Sequence, residues 1–541
     1  MDMLLAKNPW LLLFLVAAIG FLVGRVKVLG ASLGTAAVLF VGLGFGMFNP
    51  DFEVPSIVFQ LGLILFVYSV GISSGPAFFE TFKKNGFRDI GFVLFSLFLS
   101  ALFAVLIYFG LHLDKATIVG VYCGSTTNTP ALAGVTDLIN RLGDAEKGQW
   151  VKDLVVGYTY SYPMGVLGVI LVMKYTEKWL KVDYVAEKNS LRKQYPVDEE
   201  IAGKAVEITH EVAEDKTLRD LVKEMGLVLG FGRVYQNGKV SIANWDTRLH
   251  KGDILMVIGG VNDLKAATSF LGVESDENIL DNYRNYEVKR IFVSRPEVVG
   301  RTLSSLNLSE KFDAVITRIR RGDVDMLAQS DTVLEIGDRI RFVARKQDLK
   351  ALSKFFGDSY YESSKVNLFS FGLGIALGLL IGTFEFHLPG GLQFKLGFAG
   401  GPLLVGLVMS ALRRTGPIVW TLPYSSNITL RQIGLTLLLA VIGLESGHSF
   451  MESLSRIDGL TIFGGGVLLS MVTAFVSIIV GYKLFKIPFS VLLGFMSNQP
   501  AILEFATGMS KNRLPQIGYA IMFPISMIMK ILYAQVLFLL L

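Results

Sequence analysis

Two short polar stretches interrupt long apolar segments, and their side chains could bind a small solute. GSTTNTP at 124–130 and SNQP at 497–500 each place hydroxyl and amide groups directly before a proline. Proline has no N–H and its fixed φ suits the first turn of a helix, so a new helix is predicted to begin inside each segment, with Thr129 or Gln499 as the residue in front of it. The first turn of such a helix has unpaired N–H groups and the positive end of the helix dipole, which together favour a carboxylate.

The predicted substrate-binding residues come from these two stretches and one lysine. They are Ser125, Thr126, Thr127, Asn128, Thr129, Pro130, Ser497, Asn498, Gln499, Pro500 and Lys530. A proline in a membrane helix can also be a simple kink, but its recurrence at matched positions favours a site.

Lys530 lies in the apolar run ISMIMKILYAQ, where an ionisable residue is costly and therefore a candidate for function. It is expected to pair with an anionic substrate or with Glu504, or else to extend its ammonium group to the membrane surface. Four carboxylates near the polar stretches are expected to be solvated helix ends: Asp137, Glu445, Glu452 and Glu504.

The composition is that of a membrane protein with a soluble insert. Of 541 residues, 52% are hydrophobic, and the charged residues concentrate at about 177–365. No basic stripe is present, so nucleic acid is not expected as a partner. The single Cys123 and five scattered histidines support neither a disulfide framework nor a metal site, and no cofactor is expected. Neither a phosphate-binding loop nor a catalytic triad is found, so an enzyme is not expected.

Twelve apolar segments are predicted to lie in the membrane, six on each side of the insert. They run near 9–25, 29–48, 56–75, 89–111, 116–139, 154–173, 367–385, 396–412, 431–447, 457–484, 489–509 and 516–541.

The two sets of six segments are repeats of each other. Residues 60–81 align without gaps to 432–453 with nine identities, where membrane composition alone would give roughly two. Three further matches follow in the same order: Leu29-Gly30 with Leu396-Gly397, the stretch at 124–131 with that at 494–501, and Gly157-Tyr158 and Pro163 with Gly518-Tyr519 and Pro524. Transporters are often built from such duplicated units.

Loop charges predict that the repeats are inverted. Lys and Arg cluster at 25–27, 83–88 and 174–181, and in the second half at 413–414 and 483–486. Because these residues collect on the cytoplasmic side, the insert should be inside and both termini outside. Six full crossings would return the chain to the side on which it began, so they cannot connect a terminus outside with an insert inside. The interrupted fifth segment must therefore be a re-entrant hairpin or an unwound crossing helix.

The insert holds a second, independent repeat. Thr217-Leu218, Arg233, Asp246-Thr247 and Leu249-x-x-Gly252-Asp253 recur as Thr302-Leu303, Arg318, Asp331-Thr332 and Leu334-x-x-Gly337-Asp338 at a constant spacing. Alternating strands followed by an apolar helix make each copy a small α+β unit. The predicted domains are therefore a membrane repeat at 1–180, soluble units at 200–275 and 286–360, and a membrane repeat at 365–541.

Through these motifs, the whole chain resembles the aspartate:alanine exchanger family and its uncharacterised permease relatives. The likeness rests on the domain order, on VGISSGPAFF at 70–79, and on GSTTNTPAL at 124–132 and SNQPAILEF at 497–505. The two soluble units look like TrkA-C domains, which bind small-molecule effectors in other proteins.

The resemblance implies a bacterial inner-membrane antiporter that exchanges small organic anions, in particular amino acids such as aspartate and alanine. Fold-level analogy adds an elevator-like alternating access and a homodimer. Two alternatives stay open: a monovalent-cation antiporter or channel regulated by its TrkA-C pair, and a membrane sensor that signals ligand binding.

Overall fold

The computed structural model describes residues 2–28, 31–32, 34–49, 52, 54–84, 86–141, 147–184, 186–187, 201–276, 286–322, 324–387, 393–454, 458–512 and 514–541. The chain divides into two compact units. The first holds Met1–Val197, Phe371–Leu412 and Asn427–Leu541, and the second holds Asp198–Ser370 and Arg413–Ser426.

The first membrane half is a series of apolar helices with one interruption. Its elements are α1 (Asp2–Ala6), α2 (Pro9–Gly24), β1 (Lys27–Val28), β2 (Ala31–Ser32), α3 (Ala37–Phe48), α4 (Ser56–Lys84), α5 (Gly86–Leu111), α6 (Lys115–Ser125), α7 (Thr129–Arg141) and α8 (Lys147–Leu180). A helix satisfies its backbone hydrogen bonds internally, which is why apolar runs of this length adopt it in a membrane.

The soluble part contains two antiparallel sheets. The first is built from β3 (Ile201–Ile208), α9 (Leu218–Met225), β4 (Gly230–Gln236), β5 (Lys239–Ile242), β6 (Ile254–Gly260), α10 (Val261–Leu271) and β7 (Gly272–Glu274), with strand order β5-β4-β6-β3-β7. The second is built from β8 (Tyr286–Phe292), α11 (Leu308–Phe312), β9 (Ala314–Arg321), β10 (Val324–Leu327), β11 (Arg339–Arg345) and α12 (Leu349–Phe356), with order β10-β9-β11-β8. The four matched strands therefore pair in the same order.

The repeated Leu-x-x-Gly-Asp sequence forms the same turn in both copies. Gly252 and Gly337 have φ values of +90° and +86°, a region that favours glycine. Asp253 accepts a hydrogen bond from the His250 backbone N–H at 2.7 Å, and Asp338 accepts one from the Glu335 N–H at 2.8 Å. The predicted internal repeat of the insert thus has a structural counterpart, although the exact domain boundaries stay predictions.

The second membrane half repeats the element order of the first, with an added pair of short strands at 414–419. Its elements are α13 (Tyr360–Ser364), α14 (Leu368–Thr383), β12 (Glu385–His387), β13 (Gln393–Lys395), α15 (Gly397–Leu412), β14 (Arg414–Thr415), β15 (Ile418–Val419), α16 (Tyr424–Leu454), α17 (Asp458–Lys483), α18 (Phe489–Met496), α19 (Pro500–Ser510) and α20 (Leu514–Leu540). The added strand pair and the short helix at 360–364 belong to the second compact unit. Among the described residues, six helical stretches are long and apolar enough to cross a membrane, and four shorter apolar helices accompany them. The fold is that of a polytopic helical membrane protein with inverted repeats, as predicted.

Matched glycines of the two repeats lie at helix crossings. A Cβ added at Gly62 of α4 would lie 2.8 Å from the Gly434 carbonyl oxygen, and one at Gly434 of α16 would lie 2.7 Å from the Gly62 oxygen. The two positions are repeat mates that contact each other, so the pseudo-twofold relation passes through this crossing. Gly71 of α4 and Gly443 of α16 likewise pack against backbone, of α15 and α3 respectively. Small residues at these positions allow the helix backbones to approach closely.

Candidate functional site

The first interruption separates α6 from α7. Thr127 has a φ of +47°, in the left-handed region, and the Asn128 N–H donates to the Cys123 carbonyl at 2.8 Å, so the chain turns out of the first helix. The Asn128 side chain then accepts a hydrogen bond from the Ala131 N–H at 2.9 Å. This is an N-cap interaction, so the cap is Asn128 rather than the predicted Thr129. Proline is tolerated throughout the first helical turn, and Pro130 occupies the second helical position instead of the first.

Thr129 does not cap α7. As the first residue of α7, it forms a hydroxyl–hydroxyl hydrogen bond of 2.8 Å with Tyr158 of α8. The repeat mate of Tyr158 is Tyr519, which lies at the corresponding place in α20. The interruption is therefore held against the last helix of its own half.

The second interruption separates α18 from α19. Gln499 has extended backbone, with φ −151° and ψ 162°, and Pro500 is the first residue of the new helix, as predicted. The Gln499 side chain makes no capping hydrogen bond. Its oxygen instead accepts from the Tyr162 hydroxyl of α8 at 2.8 Å. A residue of the second half is thus bonded directly to the first half.

Lys530 of α20 joins the two interruptions. Its ammonium nitrogen donates to the Thr126 carbonyl oxygen at 3.1 Å and to the Asn498 side-chain oxygen at 2.6 Å. Only 2% of the residue is exposed, so the expectation that its ammonium extends to the membrane surface is wrong. Among the described residues no carboxylate, Glu504 included, lies within ion-pair distance of this ammonium.

A cavity of about 350 Å³ opens beside this lysine. It is lined by Gly34, Thr35, Phe66, Val70, Thr127, Asn128, Thr129, Pro130, Tyr162, Arg431, Gln432, Leu435, Leu439, Asn498, Gln499, Glu504, Tyr519, Phe523, Ser526, Met527 and Lys530. Apolar and aromatic walls with a few convergent polar groups are typical of a small-molecule site, and the volume suits a small solute.

A second, smaller cavity of about 40 Å³ shares some of these residues. Lys530, Asn498 and Thr126 line it together with hydroxyls of Ser96, Ser100, Ser125, Ser470 and Thr473. A polar space of this size can hold a few water molecules. The lysine and Asn498 therefore border two polar spaces within the membrane unit.

The predicted site residues are distributed as follows. Seven of the eleven line the larger cavity: Thr127, Asn128, Thr129, Pro130, Asn498, Gln499 and Lys530. Ser125 and Thr126 line the smaller one. Ser497 lines neither, because its buried hydroxyl donates to the Leu493 carbonyl at 2.7 Å. The Pro500 side chain lies outside the described part of the structure.

Two charged residues of the larger cavity were not predicted to be there. Arg431 lies at the start of a predicted apolar segment, and Glu504 was expected to be a solvated helix end. The relevant signal was a charge at the margin of an apolar run, which sequence alone cannot distinguish from a loop residue. Among the described residues, no three His, Cys, Asp or Glu side chains come together as metal ligands.

The second half-helix of each interruption packs on the last helix of the opposite half, α7 on α20 and α19 on α8. Two duplicated membrane halves thus build one polar cavity around paired interrupted helices. This arrangement is typical of multi-pass membrane transporters.

Comparisons with known proteins give the particular family. The family model described as Predicted Permease Membrane Region, of the Asp-Al_Ex type, matches residues 12–178 and 370–539, and a TrkA-C domain model matches 290–357. The chain belongs to this permease family and is a membrane transporter with a TrkA-C domain in its soluble part.

Three relatives match along nearly their whole length. An uncharacterized transporter of Geobacter sulfurreducens is 42% identical over 99% of this chain and 98% of its own. An uncharacterized transporter of Corynebacterium diphtheriae is 40% identical over 99% of this chain and 99% of its own. One of Symbiobacterium thermophilum is 40% identical over 98% of both chains.

The GsuK RCK domain structure is 10% identical over 29% of this chain and 64% of its own. Its TM-score of 0.16 is too low to establish a shared fold. Relatives that are named transporters point away from an enzyme.

Proposed function

We propose that this transporter is an antiporter of small organic anions, in particular amino acids such as aspartate and alanine, and that the larger cavity is its substrate site. The observation that carries the proposal is the position of Lys530, whose buried ammonium bonds to both interruptions. Its two acceptors are neutral oxygens, so its charge lacks a counter-ion among the described residues. A buried cation without a carboxylate is costly, and a substrate carboxylate in the cavity would supply the missing charge.

The helix geometry supports the same chemistry. α7 and α19 both begin at the cavity, because Thr129 and Gln499 line it. The N-terminal end of a helix carries partial positive charge and unpaired N–H groups, which bind anions. Both features are unfavourable to a bound cation, and they count against the alternative of a monovalent-cation antiporter or channel.

The arrangement of polar spaces supports alternating access. Lys530 and Asn498 line both the larger and the smaller cavity, so a substrate held by the lysine would lie next to both polar spaces. We propose that an elevator-like movement of one part of the membrane unit exposes the site to each side in turn.

The proposal also covers the orientation of the protein in the membrane, its oligomeric state and its regulation. The TrkA-C region lies in the cytoplasm and both termini lie outside, as the Lys and Arg distribution predicts. The protein forms a homodimer in a bacterial inner membrane, and a small-molecule effector binds its soluble domains.

Counterflow in liposomes tests the exchange. Purified protein is reconstituted, and uptake of labelled aspartate is measured with aspartate, alanine or no amino acid inside. The proposal predicts uptake only when an amino acid is present inside, since an antiporter needs substrate on both sides. Uptake into empty liposomes would contradict exchange. Binding without uptake would favour the membrane sensor, and flux of K⁺ or Na⁺ alone would favour the cation antiporter or channel.

A further inference from the structure

Arg431 is a second cation of the larger cavity. It lies near the start of α16, is partly buried, and lines the same space as Lys530 and Glu504. In the described part of the chain, its guanidinium forms neither an ion pair nor a hydrogen bond. Arginine offers five donors in a planar fork that matches a carboxylate, so a guanidinium left without protein partners beside a binding cavity is available to a ligand.

The charges of the cavity all come from the second half of the chain. In the alignment of the two halves, Arg431, Glu504 and Lys530 correspond to Phe59, Gly134 and Val169, none of which is ionisable. The duplicated parts of the site are neutral: Asn128 matches Asn498, and Thr129 matches Gln499. Duplication therefore accounts for the polar pocket but not for its charges, which were acquired or kept in one half only.

Two separate cations are more than one carboxylate needs. Lys530 already bonds to both interruptions, where the carboxylate common to all amino acids would bind. Arg431 reaches the cavity from another helix, α16 rather than α20. A substrate with a single carboxylate would leave the guanidinium without a partner, whereas a substrate with two would pair with both cations.

We propose that Arg431 is the specificity-determining residue that binds the second carboxylate of acidic substrates, and that Glu504 faces the substrate ammonium. This inference rests on the proposed function, and it assigns the choice between acidic and neutral amino acids to one side chain. Lys530 binds every substrate, and Arg431 discriminates among them.

Arg431→Gln tests the assignment. The variant is expected to raise the KM for aspartate by about 10- to 100-fold, the usual cost of losing a hydrogen-bonded charge partner. The KM for alanine should stay within about 2-fold, because alanine has no second carboxylate. Arg431→Lys keeps the charge but loses the planar fork, and should fall between the two.

Lys486→Gln is the matched control, since it removes a positive charge from an exposed position that does not line the cavity. It should leave both KM values unchanged. An equal loss of aspartate and alanine transport in Arg431→Gln would show a merely structural role and overturn the proposal. Unchanged aspartate transport would overturn it as well.

A binding measurement separates this inference from the proposed function. The rise in melting temperature produced by succinate and by acetate is measured for the wild type and for Arg431→Gln. The inference predicts that the variant loses the succinate effect. If the wild type exchanges no amino acid, the proposed function fails, whereas a succinate effect retained by Arg431→Gln overturns the role of Arg431 whatever is transported.

Discussion

At the scale of single residues, the chemistry of the site depends on one buried ammonium. Lys530 is expected at an intramembrane position from sequence alone, because a lysine in a run of apolar residues is costly. Its partners could not be predicted, since Thr126 and Asn498 lie about 400 and 30 residues away in the chain and come together only through packing of both halves. The position of Arg431 in the cavity could not be predicted for the same reason, since the cavity is formed by helices far away in sequence.

Capping was predicted to within one residue. The sequence places a helix start at each proline, and both starts are present in α7 and α19. The cap of α7 is Asn128 because a hydrogen bond from its side chain to the Ala131 N–H fits the three-residue spacing of a cap. Proline is tolerated in the first turn of a helix, so it indicates where a helix begins to within a few residues. It does not determine which of the preceding residues is the cap.

Lys530→Met tests the role of the ammonium. Methionine is similar in length and apolar, so the change removes the charge with little change in shape. Exchange should fall by on the order of 100-fold or more, as expected for loss of a buried charge partner. Folding should survive, because relief from burying a cation offsets the two acceptors left without a donor, and the melting temperature should shift by less than about 5 °C. Exchange at the wild-type rate in this variant would exclude Lys530 from the site.

At the scale of elements, close helix crossings position the interruptions. Glycines allow α4 to approach α15, and α3 to approach α16, and the repeat mates Gly62 and Gly434 meet where α4 crosses α16. These glycines recur at matched positions of the two halves, which is the signal for them in the sequence. The sequence does not indicate which helices they contact, because small residues one turn apart favour close packing without identifying the partner helix.

Gly434→Ala should disrupt this crossing. The added methyl group would lie 2.6 Å from the Phe66 backbone nitrogen, and two backbones would have to separate to admit it. A loss of stability of about 2 kcal/mol or more is expected, measured as a lower melting temperature in detergent. Gly464→Ala is the matched control, because nothing lies within 4 Å of its added methyl group, and alanine there should be neutral or stabilise α17 by up to about 1 kcal/mol. Equal effects of the two substitutions would contradict the close crossing.

At the scale of the whole molecule, one site is built from two related halves. Each half supplies an interrupted helix, and the second half adds the charges. The duplicated halves and the two sheets of the insert were predicted from internal repeats, because matched residues at constant spacing require a shared local structure. How the halves meet was a hypothesis, and the hydrogen bond between Tyr162 and Gln499 and the two bonds of Lys530 supply its geometry.

The central claim is that the two interruptions form a single substrate site. The most direct test is to measure amino acid exchange by the variants Asn128→Leu and Asn498→Leu. Each substitution alters one half only, and leucine is close in size to asparagine but cannot hydrogen-bond. Thr176→Val is the control, since the Thr176 hydroxyl is buried and donates to two carbonyls of its own helix, at 2.7 Å and 3.0 Å.

Aspartate–alanine exchange is measured in liposomes with equal amounts of folded protein, judged by gel filtration and melting temperature. The account predicts that either leucine substitution alone abolishes exchange and that Thr176→Val retains it. Exchange that persists in Asn128→Leu or in Asn498→Leu would show that one interruption is dispensable, and it would contradict a site shared by both halves.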